Sequence, residues 1–246
     1  VDEYAVRDNI DFGVRVISAR WLSAESVWET VARYGRGQEV RYRSRLLFMC
    51  SGYYRYSAGY TPDFPGLEEF AGTVVHPQLW PDDLDYSNKR VAVIGSGATA
   101  VTLIPAMADK ASHVTMVQRS PTYIVSMPSK DRLANMLNRL MPAAWAYATT
   151  RWRNIRFQNY FYKQAIERPA KTRAYILKRL RKALKPEIDV EKHFAPSYDP
   201  WTQRLCLVPD SDLFHVLNSG KADVTTGTIA RITSDGIETV SYTHLR

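Results

Sequence analysis

The sequence predicts an α/β protein organised around a Rossmann-like dinucleotide-binding unit, and three observations carry that prediction. First, the short apolar run Val91-Ala92-Val93-Ile94 leads directly into Gly95-Ser96-Gly97-Ala98-Thr99-Ala100. A helical stretch to about residue 110 and a second strand over 113–117 follow, the length and order of a βαβ unit. Second, residues 10–21, 27–34 and 40–50 form successive strand-like runs around turn-rich segments, which predicts an antiparallel meander ahead of that unit. Third, Leu133, Met136, Leu137, Leu140 and Met141 recur at helical spacing after it.

In the first run Ile10, Phe12, Val14 and Val16 alternate, and the turn after the second run is Tyr34-Gly35-Arg36-Gly37. The third run ends in Leu46-Leu47-Phe48-Met49-Cys50, which has no polar alternation and so reads as a strand buried on both faces, closing at Ser51-Gly52. Residues 53–88 carry Pro62, Pro65, Pro77 and Pro81 and read as an irregular linker. Beyond the βαβ unit, helix-compatible segments continue to about residue 185, broken at Pro142 and Pro169, because proline cannot donate the helical hydrogen bond. Strand-like runs return at 222–226 and 228–233. There is no internal repeat.

Composition bounds the class. With 246 residues, 45% of them hydrophobic, the chain can bury one large or two modest cores, as a soluble globular protein does. The uncharged run over 91–108 approaches membrane-spanning length, but Gly95, Gly97 and Pro105 divide it into strand, turn and helix. Cys50 and Cys206 show no paired or metal-like spacing, so neither a disulfide framework nor a metal site is expected, and a reduced, cytoplasmic location is the default. The net charge is +8, and between Arg151 and Lys185 twelve basic residues face one acid, Glu167. That stretch contains no nucleic-acid module. Its Ile176, Leu177, Leu180 and Leu184 give one apolar side, so it reads as the solvated face of a helical insert, with peripheral membrane contact as the second reading.

The glycine loop indicates a cofactor. Gly95 permits the tight strand-to-helix turn, Gly97 lets the backbone approach a pyrophosphate, and Ala100 keeps helix and strand close. The helix start, Ala98-Thr99-Ala100-Val101 after Ser96-Gly97, offers free N–H groups and the positive end of the helix dipole to phosphates. Sites for NAD place a carboxylate at the end of the second strand to bind the ribose 2′-hydroxyl, whereas Gln118-Arg119-Ser120 stands there in this chain. Arg119 can pair with a 2′-phosphate and Ser120 can add a hydrogen bond, so NADPH is favoured over NADH. The plainer alternatives are a glycine turn in an unrelated α/β domain and an Arg119 that is only a solvated strand-end charge.

Within the linker, residues 70–80 read F-x-G-x-x-x-H-x-x-x-W through Phe70, Gly72, His76 and Trp80. Placed just ahead of a nucleotide-binding loop, this pattern resembles the fingerprint of Baeyer–Villiger monooxygenases, class B flavoproteins. Their flavin-containing sister enzymes usually carry Tyr or Phe at the place of Trp80. Gln118-Arg119-Ser120-Pro121-Thr122-Tyr123 and Trp201-Thr202-Gln203-Arg204-Leu205-Cys206-Leu207-Val208-Pro209 are similar to further segments of that family. The likeness runs from about residue 11 to 239 and is strongest in a mycobacterial branch. It implies FAD and NADPH as cofactors, dioxygen as co-substrate, and insertion of one oxygen into a ketone or onto a sulfur. It also implies that Arg204, whose guanidinium stays charged, faces flavin and nicotinamide and stabilises anions formed during oxygen transfer. Val16 would touch the FAD adenine through its backbone. His76 would set a hinge between nucleotide domains, and Trp80 would pack the linker. Two rivals remain: an N- or S-oxygenating flavin monooxygenase, and a basic nucleotide-fold binding module without catalysis. A disulfide reductase is disfavoured by the missing C-x-x-C.

The resemblance divides the chain into the end of an FAD domain with its meander and linker (1–88) and a Rossmann-like NADPH domain (89–239) with a helical insert at about 130–195. Residues 240–246 read as a non-native tail. Val1 stands where a Met would begin a chain, and the family's FAD pyrophosphate loop and the acid supporting its catalytic arginine are expected upstream of it. An internal piece of a two-dinucleotide-domain flavoprotein is therefore expected, with no oxygenase activity of its own.

Overall fold

The computed structural model describes residues 4–35, 37–52 and 54–240. The chain divides into two compact units, Val1–Ser57 and Ala58–Arg246.

The first unit contains the expected meander. Strands β1 (Val14–Leu22), β2 (Val27–Tyr34) and β3 (Gln38–Ser44) pair antiparallel in sequence order. Alternation places Trp28, Thr30 and Ala32 on one face of the central strand, where Thr30 and Ala32 are buried. Trp21 lies opposite Trp28, their rings edge-on at 5.6 Å. The register slips between Val16 and Ser18, a bulge that twists the edge strand. Tyr34 and Tyr42 both donate to Asp11, and these two hydrogen bonds hold its carboxyl below the usual range.

One expectation fails in this unit. Residues 46–50 form no strand, and Leu46, Phe48 and Met49 are 66%, 77% and 75% exposed. An all-apolar strand needs neighbours on both edges and both faces. The meander follows the order β1-β2-β3, and no described strand pairs with this run.

The second unit begins with the linker, which the sequence reading had grouped with the first. Its backbone bonds run the other way: Ile232 N–H donates to Pro65 O at 2.7 Å, Ala71 N–H to Ser234 O at 2.9 Å, and Asn88 N–H to Lys110 O at 2.9 Å. Glu69 also pairs with Arg231 at 2.7 Å. The first compact unit ends at Ser57, so the linker packs with the second.

Strand β4 (Arg90–Ile94), helix α1 (Ala98–Met107) and strand β5 (His113–Gln118) form the βαβ unit at its expected place. After β6 (Tyr123–Met127) come α2 (Arg132–Leu140), α3 (Ala143–Glu167), α4 (Pro169–Ala183) and α5 (Val190–Phe194). Then follow β7 (Leu205–Pro209), α6 (Asp212–Asn218), β8 (Ala222–Thr226), β9 (Thr228–Ile232) and β10 (Ile237–Val240). β4, β5 and β8 pair parallel in that order, and β6 pairs parallel with β7. Parallel strands bury both faces, and Val114 and Met116 of β5 are fully enclosed.

Both prolines act as the sequence suggested, Pro142 capping α3 and Pro169 opening α4. Asp131 caps α2 by accepting from Ala134 N–H and is paired with Arg153, which lowers its carboxyl first and foremost. The insert is not uniform. Ile176, Leu177, Leu180 and Leu184 enter the same core as Val101, Ile104, Met116 and Phe214, while Lys178, Arg179, Arg181 and Lys182 face solvent. By contrast α3 buries only Ala146 and Ala165. Among the described residues no helix is long and apolar enough to cross a membrane. Val240, which the sequence reading assigned to a non-native tail, pairs with Thr228 in the β9–β10 hairpin; residues 241–246 lie outside the described residues.

Candidate functional site

The glycine loop joins β4 to α1 at the carboxyl end of the parallel strands, where open α/β sheets bind ligands. Gly95 has φ +126°, a conformation closed to side-chain-bearing residues, and its N–H still reaches Val117 O at 2.8 Å, so the turn starts without leaving the ladder. Gly97 is the N-cap of α1, and its carbonyl receives the first helical bond, from Val101 N–H at 3.1 Å. The N–H groups of Ala98, Thr99 and Ala100 precede that bond and have no helical acceptor. Ala98 and Thr99 are exposed, whereas Ala100 and Val101 are buried against the core. The loop thus presents backbone donors outward and apolar side chains inward.

Ser96 behaves differently from its neighbours. Its side chain is buried, donates to Ser120 O at 3.4 Å and lies 2.9 Å from Thr122 Oγ1. Its hydroxyl is therefore committed to tying the loop to the segment after β5. Gln118 is also turned inward, bonded to His193 and Thr226. Arg119 and Ser120 are exposed, and Arg119 has no ion pair among the described residues.

Arg204 comes to this loop from β7's leading edge. A Cβ placed on Gly97 would have Arg204 Nη1 as its nearest neighbour, at 3.9 Å. The guanidinium is exposed, and Tyr198 Oη holds its backbone by donating to Arg204 O at 2.8 Å. Tyr198 in turn packs edge-on to buried Tyr123 at 5.5 Å, and Arg173 of α4 donates to Tyr123 Oη at 2.8 Å and to Pro196 O. Burial raises the neighbouring Cys206 thiol, with Arg204 as the opposing influence.

In the linker, the Phe70 ring lies over Gly72, where an added Cβ would stand 2.5 Å from the ring tip. His76 caps the 3₁₀ turn Pro77–Leu79, its Nδ1 accepting from Gln78 N–H at 3.2 Å. Its ring fills the place a side chain on Gly59 would need. Trp80 meets Tyr86 edge-on at 6.3 Å.

A family model described as flavin-binding monooxygenase-like matches residues 3–194, more than half of the chain. The chain belongs to the flavin-binding monooxygenase-like family. Similar family proteins include an FAD-containing monooxygenase, EthA, of Mycobacterium tuberculosis, 49% identical over 235 residues, which are 95% of this chain and 48% of that protein. A probable FAD-binding monooxygenase, AlmA, of Acinetobacter baylyi is 44% identical over 246 residues, 100% of this chain and 49% of that one. The chain thus spans about half the length of the curated relatives it matches. Among solved structures, a steroid monooxygenase bound to NADP shares the fold with a TM-score of 0.67 at 22% identity, covering 97% of this chain and 51% of that one. Cyclohexanone monooxygenase from Rhodococcus sp. Phi1, bound to NADP+, gives 0.63 at 21%, over 97% and 51%.

For this flavin-binding monooxygenase-like chain the fold brings together residues far apart in sequence. The Gly95 loop, Ser120 and Arg204 share one end of the second unit, and Phe70 with Gly72 and His76 with Gly59 form two tight contacts in the linker. Val16 belongs to the first unit, where it is 60% exposed. Sequence reasoning missed Gly59, Thr122, Thr226, His193 and Tyr198. Gly59 carried no signal, because its role appears only when His76 folds onto it. The hydroxyl at the end of β8, Thr226, was a visible but nonspecific hint.

Proposed function

We propose that the whole protein is an FAD- and NADPH-dependent monooxygenase of the Baeyer–Villiger type, inserting one oxygen atom of dioxygen into a ketone or onto a sulfur. The observation that carries the reading is the pairing of an open glycine loop with Arg119 at a strand end that offers no carboxylate. The residues present fit NADPH. The free N–H groups of Ala98, Thr99 and Ala100 would hold the pyrophosphate beside Gly97, and Arg119 with Ser120 would hold the 2′-phosphate. A carboxylate there would repel that phosphate; an arginine attracts it.

For FAD the described residues offer only the exposed Val16, with no second strand–glycine loop–helix turn, so the flavin is assigned to the whole protein. When bound, FAD supplies the oxygen chemistry. Arg204 lies where the loop meets open space, and its fixed charge would orient anionic groups there without taking up or releasing a proton. His76, with Nδ1 occupied by Gln78 N–H, serves as a linker cap rather than a base. The basic face of α4 is a solvated helix surface.

Two measurements test the reading. Titration of the chain should give tighter binding of NADPH than of NADH, and equal affinities would overturn the cofactor assignment. A chimera carrying residues 4–240 in place of the matching half of M. tuberculosis EthA should hold FAD and convert a simple ketone to its ester with NADPH. A chimera that holds FAD and oxidises amines but neither ketones nor sulfur would favour the N-oxygenating alternative over the one that Trp80 supports.

A further inference from the structure

We propose that Thr226, through a half-buried chain of hydrogen bonds with Gln118 and His193, is a positioning residue for recognition of the cofactor's 2′-phosphate. The proposal rests on the NADPH reading above and extends it to residues that touch no cofactor. Gln118 is the last residue of β5 and is 2% exposed. Its amide orientation is decided by its neighbour: the atom 2.7 Å from His193 O must be the nitrogen, since a carbonyl oxygen only accepts. The same nitrogen lies 2.9 Å from Thr226 Oγ1 and donates its second proton there. Thr226 Oγ1 in turn lies 2.7 Å from His193 Nδ1, to which it donates when the neutral ring carries its proton on Nε2. Both amide protons of Gln118 are used, and the hydroxyl links Gln118 to His193.

These bonds join three elements at one point. Gln118 faces Thr226 across the β5–β8 ladder, and Gly227 N–H donates to Gln118 O at 2.9 Å. His193 adds α5. An apolar side chain at 118 would pack as well, but it would not set the angle at which the backbone leaves the sheet. Arg119 and Ser120 are the next two residues, and Ser96 holds Ser120 O from the glycine-loop side. The segment is thus tied on both sides while the Arg119 side chain stays exposed. A bidentate contact between guanidinium and phosphate depends on such fixed placement. Replacing Thr226 by valine keeps the shape and removes the hydroxyl, leaving a Gln118 N–H and His193 Nδ1 without their partner.

The test compares dissociation constants, by calorimetry on the 246-residue chain, of adenosine 2′,5′-bisphosphate and adenosine 5′-phosphate, which differ only in the 2′-phosphate. The wild type should prefer the bisphosphate. In Thr226→Val that preference should fall about tenfold with the 5′-phosphate affinity kept, and Thr226→Ser should restore it. His193→Leu, which removes the acceptor at the far end, should reproduce the loss and decides the matter if Thr226→Val does not fold. A preference unchanged in folded Thr226→Val or His193→Leu overturns the proposal and leaves the NADPH reading intact. Equal loss of both ligands, or failure of both variants to fold, assigns the network to general stability and also overturns it. A wild type without preference removes the NADPH reading and this proposal together.

Discussion

Arg204 Nη1 stands over Gly97, 3.9 Å from the position where a side chain would begin, so the charge that lies outside the family-model match reaches the glycine loop inside it. The two residues are 107 positions apart in the chain. β7 brings them together by pairing with β6, and Tyr198 fixes the approach by bonding Arg204 O.

Arg204→Ala should therefore be read in the EthA chimera. The variant should bind FAD and lose ketone oxygenation by on the order of 10²-fold or more, the scale for removing one fixed electrostatic contact at a reacting group. Product analysis by gas chromatography checks it. Ester formation at the unsubstituted rate would remove Arg204 from the reacting site.

Arg119→Ala should weaken binding of adenosine 2′,5′-bisphosphate by roughly 1.5–3 kcal/mol, the range for a hydrogen bond to a charged group. Affinity for adenosine 5′-phosphate should not change, because that ligand lacks the phosphate Arg119 would bind. Calorimetry distinguishes the two. Parallel loss of both would mean that Arg119 supports the fold or the pyrophosphate instead.

Gly59→Ala should destabilise the second unit by about 1–3 kcal/mol, the usual range for overpacking. The added methyl would collide with the His76 ring, which is held by Gln78 N–H and has little freedom to yield. Urea unfolding measures the change. A variant as stable as the wild type would show that the ring moves aside at little cost.

Stability should also fall on mild acidification through His193, whose pKa burial pushes below its ordinary 6.5, with Lys192 adding to that shift and Asp189 and Asp223 opposing it. The folded state then resists a proton that the unfolded chain accepts. Its contribution is complete above about pH 6.5 and is lost as pH falls toward and through the depressed folded value. Asp131 and Asp210 are lowered from 3.8 and act in a separate, more acidic window. Thermal melts between neutral and mildly acidic pH should show a slope that His193→Asn flattens. An unchanged slope would place the titration elsewhere.

Much of the architecture was legible along the chain. The period-two runs became β1 and β2, and the glycine loop sits between β4 and α1. Breaks at Pro142 and Pro169 mark the helix starts. The Leu46–Cys50 run was misread for a physical reason: hydrophobic content reports what a segment would bury, not whether strands are there to bury it. Composition could not tell which unit supplies the linker's hydrogen-bond partners, and Pro65 and Ala71 bond to the β9–β10 hairpin.

The sequence by itself determined the local conformations and the chemistry available: a glycine turn that only a residue tolerant of positive φ can make, a strand end bearing arginine in place of an acid, and proline-set helix starts. These are short-range matters of sterics and charge, written within a few residues. Only the tertiary structure decided which groups are spent and which remain free. Ser96 and Gln118 looked equivalent to their neighbours, yet burial obliges their polar atoms to find partners in Ser120, Thr122, Thr226 and His193. Arg119 and Arg204 stay exposed, because the same packing leaves their charges facing solvent.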